Sequence, residues 1–191
     1  MATTTCIDRG WKRIFAEPAE EPITLTKAKE HLRITHTDED AKILNLIKAA
    51  RISAEMFTSR KFVTQTWEQI LDEFPDVIEL EYAPVQSITH VKYYDTNNAF
   101  QTLASTEYAL TKREPAWVHE EVDKTWPSTE DKRDAVEIRY IVGYGTSNDV
   151  PEPIKQAMYL AVGWLYENRE VTKADMGAWE SLLAPYQLRF F

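Results

Sequence analysis

The chain has little cysteine, little glycine and no long apolar run. Its 191 residues include one cysteine, Cys6, which excludes an internal disulfide framework and any multi-cysteine metal site. The longest mostly apolar run, residues 157–166, is about half a membrane span and contains Gly163. No early segment has the apolar stretch of a secretory signal. We therefore expect a soluble protein of a reducing compartment, without membrane association.

Motifs for catalysis and for cofactor binding are also missing. The four histidines have no second His or Cys at metal-ligand spacing, and no Gly-x-Ser-x-Gly elbow occurs. Gly143-Tyr144-Gly145 lacks the Gly-Lys-Ser/Thr ending of a phosphate-binding loop, so we interpret it as the end of a strand. The sequence predicts no catalytic residue, no metal site and no cofactor. An enzyme stays a third alternative, because a site assembled from distant residues is not visible in a sequence.

Acidic residues exceed basic ones, and the excess lies in the middle of the chain. The formal net charge is -9, of which residues 63–150 contribute -10, whereas residues 1–62 carry +2. Such a middle repels phosphate, which argues against a nucleic-acid grip there. We interpret it as a solvated acidic surface.

Helical periodicity flanks this acidic middle. Thr24 can cap a helix over residues 24–33, and Thr37-Asp38-Glu39-Asp40 has the hydroxyl-x-x-acid form that predicts a second helix over residues 37–58. Helices are also predicted from Pro151 to Asn168 and over residues 178–183, after a polar break at 172–177. The second helix is expected to bury one apolar face and to expose the opposite, charged one. The predicted buried residues are Ile43, Leu44, Ile47, Ala50, Ala54 and Phe57, and the predicted exposed ones are Lys42, Lys48, Arg51 and Glu55.

The middle of the chain has the pattern of short strands. β-Branched and aromatic residues with polar alternation predict strands over 63–71, 77–82, 85–94, 99–103 and 134–142, with weaker ones at 108–110 and 116–118. The fold class is therefore α+β, a helical domain of two N-terminal and two C-terminal helices with an inserted antiparallel β-sheet or small barrel. The predicted domains are an extended N-terminal arm (1–22), the helical domain (23–62 plus 150–185), the β-domain (63–149) and a C-terminal tail (186–191).

Eight short segments within residues 22–187 occur in the same order as similar segments of a known protein family. The first is Ile23-Thr-Leu-Thr-Lys-Ala-Lys-Glu-His-Leu-Arg-Ile34, and the others are 37–41, 64–67, 84–95, 140–145, 150–157, 166–170 and 182–186. Together they resemble the phage head–tail connector family, in its long form with a β-domain inserted between helices. Two positions depart from the family pattern. Ser59 stands where a glycine is frequent, and Lys27 where an acid is frequent.

The resemblance implies a structural adaptor of a tailed phage or phage-like particle. It implies a cyclic homo-oligomer, a dodecamer, between the portal protein and a downstream neck or tail protein. DNA would pass through the ring as cargo without being read, which suits a net negative chain. The implied location is the virion neck, after synthesis in the host cytoplasm, and no catalysis or cofactor is implied.

Both ends of the chain supply candidate contact residues. We hypothesise that residues 186–191 insert into a groove of the portal, since apolar and aromatic side chains are enriched at interfaces. In the arm, three bulky residues are expected to dock either on a neighbouring subunit or on this chain's own body. The candidate portal contacts are Tyr186, Leu188, Arg189, Phe190 and Phe191, and the candidate subunit contacts are Trp11, Ile14 and Phe15.

Two other readings of the sequence stay open. The aromatic residues of the middle could form a binding platform, giving a carbohydrate- or peptide-binding β module on a helical stem, although core packing is the better interpretation without interleaved Lys and Arg. The chain could also be another neck or tail-completion protein. Within a ring, the basic residues of 42–61 could face the acidic β-domain of the next subunit. The aromatic residues concerned are Trp67, Tyr93, Tyr94, Trp117 and Trp126.

Overall fold

The computed structural model describes residues 10–168 and 177–188, which divide into two compact units. The β-unit contains residues 10–17 and 65–143. The helical unit contains residues 18–64 together with the described residues from Tyr144 to Leu188. The fold is α+β, as predicted, with helices before and after a run of antiparallel strands.

Four α-helices form the helical unit. They are α1 (Leu25–Leu32), α2 (Asp40–Thr58), α3 (Glu152–Glu167) and α4 (Gly177–Leu183). The predicted cap of α1 is confirmed, because the Thr24 side chain accepts a hydrogen bond from the Lys27 backbone N–H at 3.3 Å. Pro153 lies in the first turn of α3, where its missing N–H leaves no bond unmade. Apolar residues of α2, α3 and α4 bury one shared core, which includes Ile43, Ile47, Ala50, Ile154, Ala157, Met158, Trp179 and Leu183.

The predicted capping box at the start of α2 is wrong. The helix begins at Asp40, and its N-cap residue, Glu39, makes no side-chain capping bond. Residues 37–39 instead form a turn, in which the Asp40 N–H donates to the Thr37 carbonyl at 3.1 Å. The Asp40 carboxylate accepts a hydrogen bond from Lys29 Nζ at 2.5 Å, so it joins α2 to α1 rather than closing a box.

Three assignments to the faces of α2 are also wrong. Leu44 is 48% exposed, whereas Arg51 and Glu55 are 4% and 2% exposed. Arg51 and Glu55 lie in the C-terminal half of α2, where Glu21 and Lys61 cover the helix and pair with them. Leu44 lies on a similar side of the helix but nearer its start, without that cover. Periodicity alone treats both halves of a helix alike and so misses the difference.

Eight strands form the β-unit: β1 (Trp11–Ala16), β2 (Gln65–Leu71), β3 (Val77–Glu79), β4 (Val85–Tyr94), β5 (Phe100–Leu103), β6 (Tyr108–Thr111), β7 (Trp117–Glu120) and β8 (Val136–Val142). The antiparallel strands make two sheets, a five-stranded one of order β1-β2-β8-β4-β5 and a three-stranded one of order β3-β7-β6. Apolar residues of both sheets share one core, which includes Ile78, Leu80, Val91, Val118, Val136, Ile138 and Tyr140.

The predicted arm contributes a strand to this unit. Residues 11–16 form β1, which pairs antiparallel with β2, with Trp11 opposite Ile70 and Ile14 opposite Trp67. β1 is an edge strand with an irregularity between Ile14 and Ala16. Residues 1–9, including Cys6, lie outside the described part of the chain, as does most of the polar break predicted at 172–177.

Ser59 occupies a backbone conformation that favours glycine. It follows α2 with φ of 54° and ψ of 25°, the left-handed conformation in which many helices end on glycine. We expect Ser59→Gly to raise the free energy of unfolding by about 0.5–1 kcal/mol, because glycine adopts this conformation without steric cost. The matched control is Ser53→Gly at an exposed position inside α2, which is expected to lower stability by a similar amount. Urea unfolding followed by far-UV circular dichroism measures both changes, and an equal loss in the two variants would contradict the expectation.

Candidate interaction surfaces

Neither a metal cluster nor a membrane span occurs in the described part of the chain. Among residues 10–168 and 177–188, no group of three or more His, Cys, Asp or Glu side chains is placed to hold a metal ion. No helix within the same ranges is both long enough and apolar enough to cross a membrane.

The aromatic residues of the β-unit pack mainly against one another. Trp67 lies edge-on to Tyr82 at 4.5 Å between ring centroids, and Trp126 stacks on Phe74 at 4.7 Å. Tyr93 contacts the same Phe74 ring at 5.7 Å. These rings border the apolar core of the unit. Trp67, Tyr93 and Trp126 therefore pack within the unit and do not form an open platform, which weakens the support for a carbohydrate-binding module.

The three candidate subunit-contact residues lie on β1 with their side chains partly exposed. Trp11, Ile14 and Phe15 are 45%, 40% and 56% exposed. Trp11 Nε1 donates a hydrogen bond to Asp134 Oδ1 at 2.7 Å, and the Arg139 guanidinium lies 3.6 Å from the centroid of the Phe15 ring. The strand therefore docks on its own chain through its backbone and through side-chain contacts that include these two, while Trp11, Ile14 and Phe15 each keep a surface open to solvent.

A carboxylate between two arginines fastens β1 to the sheet. Arg13, Glu68 and Arg139 are opposite one another on β1, β2 and β8. The Glu68 side chain is fully buried, accepts a hydrogen bond from Arg13 Nε, and accepts another from Arg139 Nε at 2.7 Å. This cluster could not be predicted from the sequence, because the register that brings the three residues together involves strands far apart in the chain.

The two arginines set the ionisation of Glu68. Burial, the largest single influence, raises the pKa of its carboxyl group, but the hydrogen bonds and charges of Arg13 and Arg139 together outweigh burial and hold the pKa below its usual value. An unfolded glutamate has a pKa of about 4.3, so ionised Glu68 stabilises the fold above that pH. This contribution is lost as the pH falls through the lower pKa of the folded protein.

We expect Glu68→Gln to lower stability at pH 7 and to flatten its decline in acid. Wild type should lose unfolding free energy more steeply than the variant between about pH 5 and pH 3, because only wild type must protonate this carboxylate. Urea unfolding followed by tryptophan fluorescence at each pH measures the slopes. Glu73→Gln, at an exposed position of the same unit, is the matched control and should keep the wild-type slope. Identical slopes for Glu68→Gln and wild type would contradict the expectation.

The candidate portal-contact residues divide into an anchored part and a following part. Leu188 is 7% exposed, and its N–H donates to the Thr58 carbonyl at 2.8 Å. Tyr186 is half-buried against the helical core, and its carbonyl accepts a hydrogen bond from Arg60 Nε at 2.5 Å. Both residues are therefore tied to the end of α2. The other three candidates, Arg189, Phe190 and Phe191, lie outside the described residues.

A buried network of charges occupies the C-terminal half of α2. Arg51 contacts Glu21 at 2.7 Å and Glu55 at 3.2 Å, and Lys61 Nζ lies 3.5 Å from Glu55. Burial lowers the pKa of Lys61, and the charge of Glu55 partly offsets this effect. The network overturns the expected basic face over residues 42–61, because Arg51, Lys61 and also Arg60 are buried and paired within the chain.

The side of α2 turned away from its buried apolar residues presents an apolar surface that was not predicted from the sequence. Leu44, Ile52 and Met56 are 48%, 43% and 75% exposed, and the exposed Lys48 lies between them. The four residues are spaced at intervals of four and form a ridge along the helix, here called the α2 ridge. The sequence contained a signal for this surface, because Ile52 and Met56 are apolar but fall outside the periodic set of positions predicted to be buried.

Comparisons with known proteins agree with this architecture. No curated protein sequence matches the chain. Among solved structures, the neck of an empty GTA particle computed with C6 symmetry contains a chain that matches with a TM-score of 0.81 and 20% identity, over 95% of this chain and 97% of that one. The virion of a native gene transfer agent (GTA) particle contains a match with a TM-score of 0.76 and 20% identity, over 93% and 97%. The neck of a native GTA particle computed with C12 symmetry gives a TM-score of 0.75 and 19% identity, over 93% and 97%.

A family match covers just over half of the chain. The sequence pattern of the phage gp6-like head-tail connector proteins matches residues 22–123, which contain α1, α2 and most of the strands. This range includes the first four segments on which the sequence resemblance was based, and the resemblance is confirmed. The chain belongs to the phage gp6-like head-tail connector family.

Proposed function

We propose that this chain is a structural connector in the neck of a tailed phage or phage-like particle, where it forms a ring between the portal protein and the next neck or tail protein. The observation that carries the proposal is that the family match and the structural similarity both point to a neck protein. The family match covers residues 22–123, and the similarity to chains of GTA neck structures extends over 95% of the chain. We propose no catalytic role.

A ring of about twelve subunits is supported by the symmetry of those neck structures, one computed with C12 and one with C6 symmetry. A closed ring requires two unlike surfaces on each subunit, since every copy contacts its two neighbours through different faces. The structure offers exposed apolar side chains on β1 and, separately, on α2. We retain Trp11, Ile14 and Phe15 as proposed subunit contacts.

Passage of DNA through the ring is consistent with the charge of the chain. A conduit must not bind phosphate tightly, and a chain with a net charge of -9 binds it poorly. The basic residues of the buried network are neutralised by Glu21 and Glu55, so they add little attraction for DNA. DNA is therefore proposed as passing cargo rather than as a ligand.

Contact with the portal is proposed for the residues that follow Leu188. Leu188 and Tyr186 are hydrogen-bonded to residues at the end of α2. The position at which residues 189–191 begin is therefore fixed relative to α2. Removing residues 189–191 is expected to leave the fold and the ring intact and to abolish attachment to the portal. The truncated and full-length chains are compared by co-purification with the portal protein. Undiminished co-purification would remove these residues from the proposed contact.

Loss of the whole chain tests the function itself. In cells that make the particle but lack this chain, we expect filled or partly filled heads without tails, together with free tails. Electron microscopy of the lysate counts the three species, and a copy of the gene supplied separately should restore joined particles. Normal tailed particles in the absence of the chain would contradict the proposed function.

A further inference from the structure

β1 lies at an edge of the five-stranded sheet and has no short connection to its neighbour β2. Residues 18–64, which belong to the helical unit, separate the two strands in the chain. β5, at the opposite edge, instead follows its partner β4 through a turn in which the Asn98 N–H donates to the Asp95 carbonyl at 2.8 Å. That turn keeps β5 beside β4, whereas only non-covalent contacts keep β1 beside β2.

β1 buries little apolar surface. Five of its six residues are exposed, and the sixth, Lys12, is half-buried. The apolar core of the β-unit is formed by residues outside β1. As an edge strand, β1 also has a neighbouring strand on one side only. A segment with few buried apolar contacts and a solvent-exposed backbone is the kind that opens locally while the rest of a protein stays folded.

Two cations of β1 pair with carboxylates of the β-unit. Arg13 contacts Glu68 and, at 3.5 Å, Glu137. Lys12 Nζ lies 3.1 Å from Glu81 Oε2. Because neighbouring residues of a strand point to opposite faces, these ion pairs lie on the two faces of the sheet. β1 is therefore attached by charge from both sides.

The charge of the β-unit adds to this attachment. The two cations of β1 lie against a part of the chain, residues 63–150, that has a net charge of -10. A fourth carboxylate, Asp134, accepts the hydrogen bond of Trp11 Nε1 at 2.7 Å. The Arg13 side chain is 52% exposed, and salt screens attractions between charges that are exposed to water. The attachment of β1 should therefore weaken as the salt concentration rises.

We infer that β1 is a releasable strand, which detaches from β2 while the rest of the β-unit stays folded and does so more readily when its ion pairs are weakened. Release uncovers the edge of β2. It also carries Trp11, Ile14 and Phe15, the proposed subunit contacts, away from the sheet. The inference concerns the chain in isolation and does not rest on the proposed function.

Hydrogen–deuterium exchange of the purified full chain at pH 7, measured by mass spectrometry, tests the inference. Peptide fragments that cover β1, β4 and β8 report separately on the edge strand and on the interior of the sheet. At low salt, we expect the amides of β1 to be protected but to exchange about tenfold or more faster than those of β4 and β8. Raising NaCl from about 50 mM to about 1 M should accelerate exchange in β1 by about threefold or more, without a comparable change in β8.

Substitutions separate the ion pairs from general effects of salt. Arg13→Gln is expected to accelerate exchange in β1 by about tenfold, and Lys12→Gln by about threefold, with β8 close to wild type. Arg139 still neutralises Glu68 in the first variant, so no buried carboxylate is left without a cation. The matched control is Lys124→Gln, which breaks a pair of 2.9 Å with Glu107 elsewhere in the β-unit and should leave β1 unchanged.

Three results would overturn the inference. Equal exchange rates in β1 and β8 of the wild-type chain at both salt concentrations would show that β1 opens only with the whole unit. Complete exchange of β1 at the earliest time in low salt would show that the strand is not docked. An effect of Arg13→Gln on β1 no larger than that of Lys124→Gln would show that the ion pairs do not control release. The proposed function stands in all three cases, because none of them concerns assembly into particles.

Discussion

Replacing Glu55 with glutamine is expected to lower the unfolding free energy of the helical unit by about 3–5 kcal/mol, because the substitution removes the central negative charge of a buried network. The Glu55 side chain is 3% exposed and lies between Arg51 Nη1, at 3.2 Å, and Lys61 Nζ, at 3.5 Å. Its other oxygen accepts the Phe62 N–H at 3.0 Å. Glutamine can keep one of these bonds but removes the negative charge that lies between the two buried cations.

The matched control for Glu55→Gln is Glu30→Gln in α1. Glu30 contacts Lys27 Nζ at 2.8 Å, but the two side chains are 58% and 62% exposed. Water solvates both groups when such a pair is broken, so the expected loss is below about 1 kcal/mol. Urea unfolding at pH 7, followed by far-UV circular dichroism, measures both variants. Equal stabilities would show that the buried network contributes no more than a surface ion pair.

Replacing Gly145 with alanine is expected to lower stability by about 2–4 kcal/mol, through strain and through damage to a cap. Gly145 has φ of 138°, a conformation that residues with a side chain rarely adopt, and a Cβ atom there would lie 2.5 Å from Asp149 Oδ2. That oxygen accepts hydrogen bonds from the N–H and the hydroxyl group of Thr146, both at 2.7 Å. The added methyl group must displace Asp149 from this turn, which leads into α3.

Gly163 provides the opposite case for the same substitution. It lies inside α3, and a Cβ atom there would meet His31 Nε2 at 3.5 Å, an ordinary contact distance. Alanine is favoured over glycine within a helix, so Gly163→Ala is expected to raise stability by up to about 1 kcal/mol. Thermal and urea unfolding of both variants check the signs. A loss in Gly163→Ala, or no loss in Gly145→Ala, would contradict the packing described for these positions.

The helices and most strands could be predicted because their signals are local. Alternation over residues 85–94 predicted β4 with its bounds, and Pro151 marked the beginning of α3. Ser59 is a further example. The family resemblance identified it as a departure from a frequent glycine, and the structure gives the physical reason, a left-handed backbone at the end of α2.

Features that depend on contacts between distant segments could not be predicted. Glu55 and Arg51 resemble surface residues in a helical pattern, and their burial depends on Glu21 and Lys61, which approach only in the folded chain. Glu68 likewise reads as a polar residue of an alternating strand until the register with β1 and β8 is known. Local periodicity reports which side chains share a face, but it does not report what covers that face.

The candidate interaction surfaces show the same division. The apolar character of Trp11, Ile14 and Phe15 was evident from the sequence, whereas their attachment to a sheet edge required the pairing of β1 with β2. The burial of Leu188 was not expected, because nothing in its local sequence indicates the bond to the Thr58 carbonyl. Residues 189–191 stay a prediction.

The copy number of this chain in purified particles tests its assignment to the neck most directly. Calibrated peptide mass spectrometry, with the portal protein of the same particles as an internal reference, gives the number of copies per particle. If the chain forms a ring in the neck, each particle should contain the number of copies in a single ring, which is comparable to the number of portal subunits. Absence from the particle, or the hundreds of copies expected of a head-shell protein, would contradict the structural role proposed for this chain.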